Sequence, residues 1–122
     1  MREIKIVVGG QVYKQEIARL IASLAGDKAE IEIMSDLHAA NAVKVGKSDY
    51  YFGACHTGGG GALSMAMALL GRDKCETVSM PGRPPVREKI VAAISQGKVA
   101  FGFTGDHYEL AVPIIVEELL KK

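Results

Sequence analysis

With 122 residues, 48% of them apolar, the chain is long enough to bury a core without staples, and it reads as one α/β domain over 1–122. Its 15 Lys and Arg against 14 Asp and Glu exclude a basic nucleic-acid footprint and a polybasic membrane segment. Cys55 and Cys75 have no second pair, which argues against a disulfide framework, and the absence of Trp removes indole stacking as a binding device.

In chain order, Ile4–Val8 predicts a buried strand ending at Gly9-Gly10. Tyr13, Ile17, Leu20, Ile21 and Leu24 then recur at helical spacing, with Gly26 as a stop. Ala29–Met34 alternates as a second strand, and Ser35 caps a helix through Leu37, Ala40 and Val43 that ends near Gly46. Asp49–Ala54 forms a third strand, and a glycine run leads from it into a helix carrying Leu63, Met65, Met67, Leu69 and Leu70.

A fourth strand, Thr77–Met80, meets the turn Pro81-Gly82-Arg83-Pro84-Pro85. Val86, Ile90, Ala93 and Ile94 follow as a helix stopped at Gly97, and Val99–Phe103 is the fifth strand. The last helix is expected to open at Asp106, where Asp106 and Glu109 have capping-box spacing. Pro113 either kinks that helix or marks its first turn. Five βα units with short connections predict a single-domain, doubly wound, five-stranded parallel sheet of the Rossmann/flavodoxin-like kind, with helices on both faces.

The opening MREIKIVVGG is too short an apolar run for a signal peptide. Ala62–Leu70, the longest apolar patch, is too short to span a bilayer and is broken by Ser64. A reduced, cytoplasmic protein is expected.

In such sheets ligands bind outside the carboxyl ends of the strands. One rim therefore collects Gly9, Gly10 and Gln11, then Ser35 and Asp36, the segment Cys55–Gly61, the Arg83 turn, and Thr104, Asp106 and His107. The segment FGACHTGGGGAL is the most unusual of these. Each glycine gives up more conformational entropy on folding than any other residue, so a run needs a reason. Bare backbone N–H groups at a helix start let an anion approach the main chain, with the helix dipole favouring it. Thr57, Gly58, Gly59, Gly60 and Gly61 are the expected anion-binding residues, with Arg83 able to fork onto a phosphate or carboxylate.

No Gly-Lys-Ser/Thr follows, so this is not a Walker loop. It follows the third strand, so it is not the dinucleotide fingerprint. A close helix-on-strand crossing explains one or two glycines but not four.

Cys55 stands at a strand end facing a helix N-terminus, a setting in which thiols act as bases or nucleophiles. His56 beside it, or His107 from the fifth rim loop, would accept or return a proton. Cys75 reads as a small buried hydrophobe and His38 as an exposed, idle histidine. Adjacent ligands in one tight turn do not suit a structural zinc site, so no metal and no cofactor are expected.

From Val7-Val8-Gly9-Gly10-Gln11 through Tyr51-Phe52-Gly53-Ala54-Cys55-His56-Thr57 to Phe101-Gly102-Phe103-Thr104-Gly105-Asp106-His107, the chain resembles the bacterial YhfU-like family of unknown function. That resemblance implies a cytoplasmic bacterial protein encoded beside a membrane transporter and metabolic enzymes. It implies no particular activity.

Asp49–Gly60 is similar to the Cys-Gly-Thr-Gly-x-Gly segment of the ribose-5-phosphate isomerase B family. The likeness implies Cys55 as the proton-moving base, with Thr57, Gly58 and Gly60 shaping an anion hole. His56 replaces that motif's first glycine, and Gly9-Gly10-Gln11 stands where those isomerases carry an Asp-His pair.

The expected function is binding of a small anionic, phosphorylated metabolite, as an isomerase or lyase with Cys55 as base or nucleophile. The alternative is a non-catalytic binding or phosphoryl-carrier subunit working with a membrane transporter. A homodimer through the helix Ala62–Leu70 is expected, with no nucleic-acid partner.

Overall fold

The structure is a computed structural model that describes residues 3–56 and 59–122. Five strands, β1 (Ile4–Gly10), β2 (Ala29–Ile33), β3 (Tyr50–Cys55), β4 (Cys75–Thr77) and β5 (Ala100–Thr104), form one sheet in the order β2-β1-β3-β5-β4. Every pairing is parallel. The helices are α1 (Lys14–Ala25), α2 (Asp36–Lys44), α3 (Gly59–Leu70), α4 (Arg87–Ser95) and α5 (Tyr108–Leu120). This is the expected doubly wound α/β architecture.

Each strand needs a helical crossover to return parallel, and right-handed crossovers send helices to opposite faces when the chain moves in opposite directions along the sheet. Accordingly α1 and α4 pack with α5, while α2 packs with α3. Alternation along β3 splits its side chains: Phe52 and Ala54 join the core with Ile17, Ile90 and Ile115, and Tyr51 joins Val7, Ala39 and Leu63 on the other face. β1 and β3, which lead into helices on opposite faces, lie side by side at the centre, so the topological switch point falls between Gly10 and Cys55. Among the described residues, no helix is long and apolar enough to cross a membrane.

Four local expectations change. β4 is Cys75–Thr77 rather than Thr77–Met80, because as an edge strand it pairs only along Ala100–Gly102. Its continuation folds back instead, and Met80 bridges Arg83.

α3 begins at Gly59, so three of the glycines form its first helical turn, where N–H groups have no intrahelical partner in any case. The Asp106–Glu109 capping box does not form. A 3-10 turn over Gly105–His107 precedes α5, and His107 occupies the cap position without a side-chain cap bond. Pro113 lies inside α5 rather than in its first turn.

Candidate functional site

The end of β1 is set by its backbone. Gly10 has φ 75°, and a Cβ there would lie 2.6 Å from the Ala54 nitrogen. That bare, left-handed residue lets the chain turn so that Gln11 N–H donates to the Ala54 carbonyl at 2.8 Å. Gln11 itself is exposed on the rim. Tyr13 follows with a left-handed φ of 55°, stacks on Tyr108 at 5.4 Å, and covers Gly105.

Beneath the rim lies a polar hub that no motif announces. Tyr51 is fully buried, and its ring runs over two glycines. A Cβ on Gly9 would sit 2.6 Å from Tyr51 Cε2, and one on Gly53 2.6 Å from the hydroxyl. Through this slot the hydroxyl reaches Asp36 Oδ1 and donates to the Ala62 carbonyl at 2.7 Å. Gly10 N–H donates to the same Asp36 oxygen at 3.1 Å. Burial first, and the neighbouring Asp36 second, push the Tyr51 hydroxyl well above the ordinary tyrosine range, so it stays a neutral donor.

Asp36 thereby ties the end of β1 to α2, and Tyr51 ties β3 to the first turns of α3. Lys14 Nζ, donating to the Met34 carbonyl, fastens α1 to the end of β2.

Cys55 is the last residue of β3 and is 1% exposed. Strand alternation puts it on the Tyr51 face, toward α2 and α3. Its register partner is Thr104 on β5, and partners in a parallel pair project to the same face. Thr104 is buried between two further polar groups. Its N–H donates to Ser79 Oγ at 3.1 Å, the two hydroxyls are 3.3 Å apart, and its Oγ1 hydrogen bonds His107 Nδ1 at 2.6 Å. The chain Ser79–Thr104–His107 thus runs from beyond β4 to the rim and occupies Nδ1 of His107. Nε2 is the nitrogen left for proton exchange. Asp106 Oδ1 is 3.8 Å from that Nδ1 and is itself exposed.

Of the residues expected in the site, Gly9, Gly10, Cys55, Thr104 and His107 lie on the carboxyl ends or the turns that follow β1, β3 and β5. Gly59, Gly60 and Gly61 open α3, and exposed His56 follows Cys55. Thr57 and Gly58 lie outside the described residues. Ser35 has a structural task, accepting from His38 N–H at 3.2 Å as the α2 cap.

Arg83 is exposed and lines a separate cleft beyond β4, with Thr77, Ser79 and Lys89. Cys75 is buried, and burial pushes its thiol above the ordinary cysteine range. Among the described residues no group of His, Cys, Asp and Glu is arranged to hold a metal.

Sequence reasoning passed over Tyr51 and Ser79 and used Asp36 only as a rim position. A signal existed for Tyr51. The period of two places it on the face of Gly53 and Cys55, where bare positions leave room for a ring. Nothing local marks Ser79, whose partner is 25 residues away.

In comparison with known proteins, residues 4–119 match the family described as "Protein of unknown function DUF2620". The chain is 42% identical over 115 residues to "Uncharacterized protein YhfU" of Escherichia coli strain K12, spanning 94% of this chain and 97% of that relative. The protein of the same name from Shigella flexneri matches with the same figures, 42% over 115 residues.

Proposed function

The chain belongs to the DUF2620 family, and from that premise we propose that it binds a small anionic, phosphorylated metabolite at the rim between β1, β3 and β5. Cys55 acts there as base or nucleophile in an isomerase- or lyase-type reaction. The observation that carries the reading is the position of Cys55. It ends β3 at the switch point, beside Thr104 in register, with the glycine-opened α3 next in the chain. Removing a proton next to a carbonyl needs a base and donors for the developing oxyanion. Cys55 supplies the first and the amides opening α3 supply the second, with His107 Nε2 as the group that returns a proton.

The protein works in the cytoplasm, as a homodimer through the helix Ala62–Leu70, alongside a membrane transporter.

The test is thermal unfolding against phosphate, sugar phosphates, phosphonates and small carboxylates. A ligand at 100 times its Kd adds about 2.7 kcal/mol, which raises the midpoint of a domain of this size by roughly 10 °C. Cys55→Ser should keep the shift and lose turnover of the ligand that causes it. Full turnover by that variant removes the cysteine from the mechanism, and no shift with any compound removes the ligand class.

A further inference from the structure

We propose that the cleft beyond β4 is a second anion site, built to take a small phosphomonoester. The inference goes beyond the rim reading, which does not use Arg83, and shares with it only the anionic, phosphorylated character of the ligand.

The cleft is an open cavity of about 480 Å³, within the range that holds small metabolites. Its cationic lip is made by local sequence. Met80-Pro81-Gly82-Arg83 closes a tight turn in which Arg83 N–H donates to the Met80 carbonyl at 2.8 Å and Met80 N–H to the Arg83 carbonyl at 3.1 Å. Proline second and glycine third, with Gly82 at φ 74°, is the chemistry of a type II turn. That turn holds the Arg83 backbone while leaving its guanidinium exposed. Lys89, in the first turn of α4, brings a second cation to the same cleft.

Among the described residues neither cation forms an ion pair, and no Asp or Glu lines the cavity. The α4 N-terminus adds to this. Its cap residue Val86 also lines the cleft and offers no side-chain oxygen; Lys89 N–H donates to the Val86 carbonyl at 3.1 Å and Glu88 stands in the same turn, which leaves the N–H groups of Arg87 and Glu88 without a side-chain cap.

Two unneutralised cations, the Thr77 hydroxyl and an uncapped helix start together match a tetrahedral dianion rather than a planar monoanion. Pro84 and Val86 add apolar surface to the lining for a short carbon skeleton. The floor is Ser79, whose hydroxyl is committed inward to Thr104, so the anion contacts are Arg83, Lys89 and Thr77.

The experiment is an amide-resolved NMR titration of the full chain with inorganic phosphate, repeated with sodium chloride at matched ionic strength. The expected result is a saturable shift of the amides between Val78 and Lys89 that chloride does not reproduce. Arg83→Gln should raise the Kd for phosphate by about tenfold or more, and Lys89→Gln by a smaller factor. Both residues are exposed, so the variants should fold, which far-UV circular dichroism checks. Cys55→Ser should leave this Kd unchanged whatever becomes of its turnover. Shifts confined to Cys55–Leu63, shifts that chloride matches, or an unchanged Kd in Arg83→Gln would each overturn the cleft. The first of these would leave the rim reading standing.

Discussion

Tyr51→Phe removes one buried hydroxyl and nothing else of the ring that fills the slot over Gly9 and Gly53. Two acceptors converge on its single proton, the Asp36 carboxylate and the Ala62 carbonyl, so one hydrogen bond is lost rather than two. Because a charged acceptor is involved, the loss should be about 1.5–3 kcal/mol, or a fall in Tm of roughly 6–12 °C for a domain of this length. The damage should be directional: α3 loses its tie to β3, while Asp36 keeps its bond from Gly10 N–H. Amide exchange in the first turns of α3 should therefore quicken more than in α5.

The variant also has a pH signature. The Tyr51 hydroxyl is held above its ordinary value in the fold, so the native chain keeps a proton that the unfolded chain releases above about pH 10. Its contribution is complete below that pH and is lost as pH rises, with a limiting slope of about 1.4 kcal/mol per pH unit. The phenylalanine variant should lack this component and lose stability less steeply in alkali. Urea unfolding at neutral pH and at pH values above 10, with hydrogen exchange, measures all three effects. A variant within 0.5 kcal/mol of the parent, with unchanged α3 protection, would refute the hub.

Gly10→Ala should destabilise by about 2–4 kcal/mol, from a left-handed φ and a Cβ pressed against the Ala54 backbone, which cannot move aside. Urea midpoints measure it, and a loss below about 1 kcal/mol would mean the turn adapts. The dimer reading predicts that Met65→Lys, on the exposed side of α3 where Met65 is 38% exposed, yields monomers. Sedimentation of the parent chain as a monomer at micromolar concentration would end that reading.

Periodicity and punctuation suffice for the βα order, the Ser35 cap and the rim itself, because each depends on neighbours within one turn or one strand. In a parallel sheet every loop after a strand must lie at the same end, so the rim follows from the alternation alone. The last two strands are different. That β5 rather than β4 lies against β3 is decided by which crossovers bury both faces, a property of the assembled sheet.

The hub and the Ser79–Thr104–His107 chain belong to that second category. Tyr51 finds Asp36 across 15 residues and Ala62 across 11, while Ser79 finds Thr104 across 25. Buried hydroxyls must find partners wherever packing brings them, and no local pattern encodes the partner. The sequence by itself determined that Cys55 and the glycines share a rim. Only the tertiary structure set Arg83 in a cleft of its own, since the β4 edge and the start of α4 meet there only after the sheet has closed.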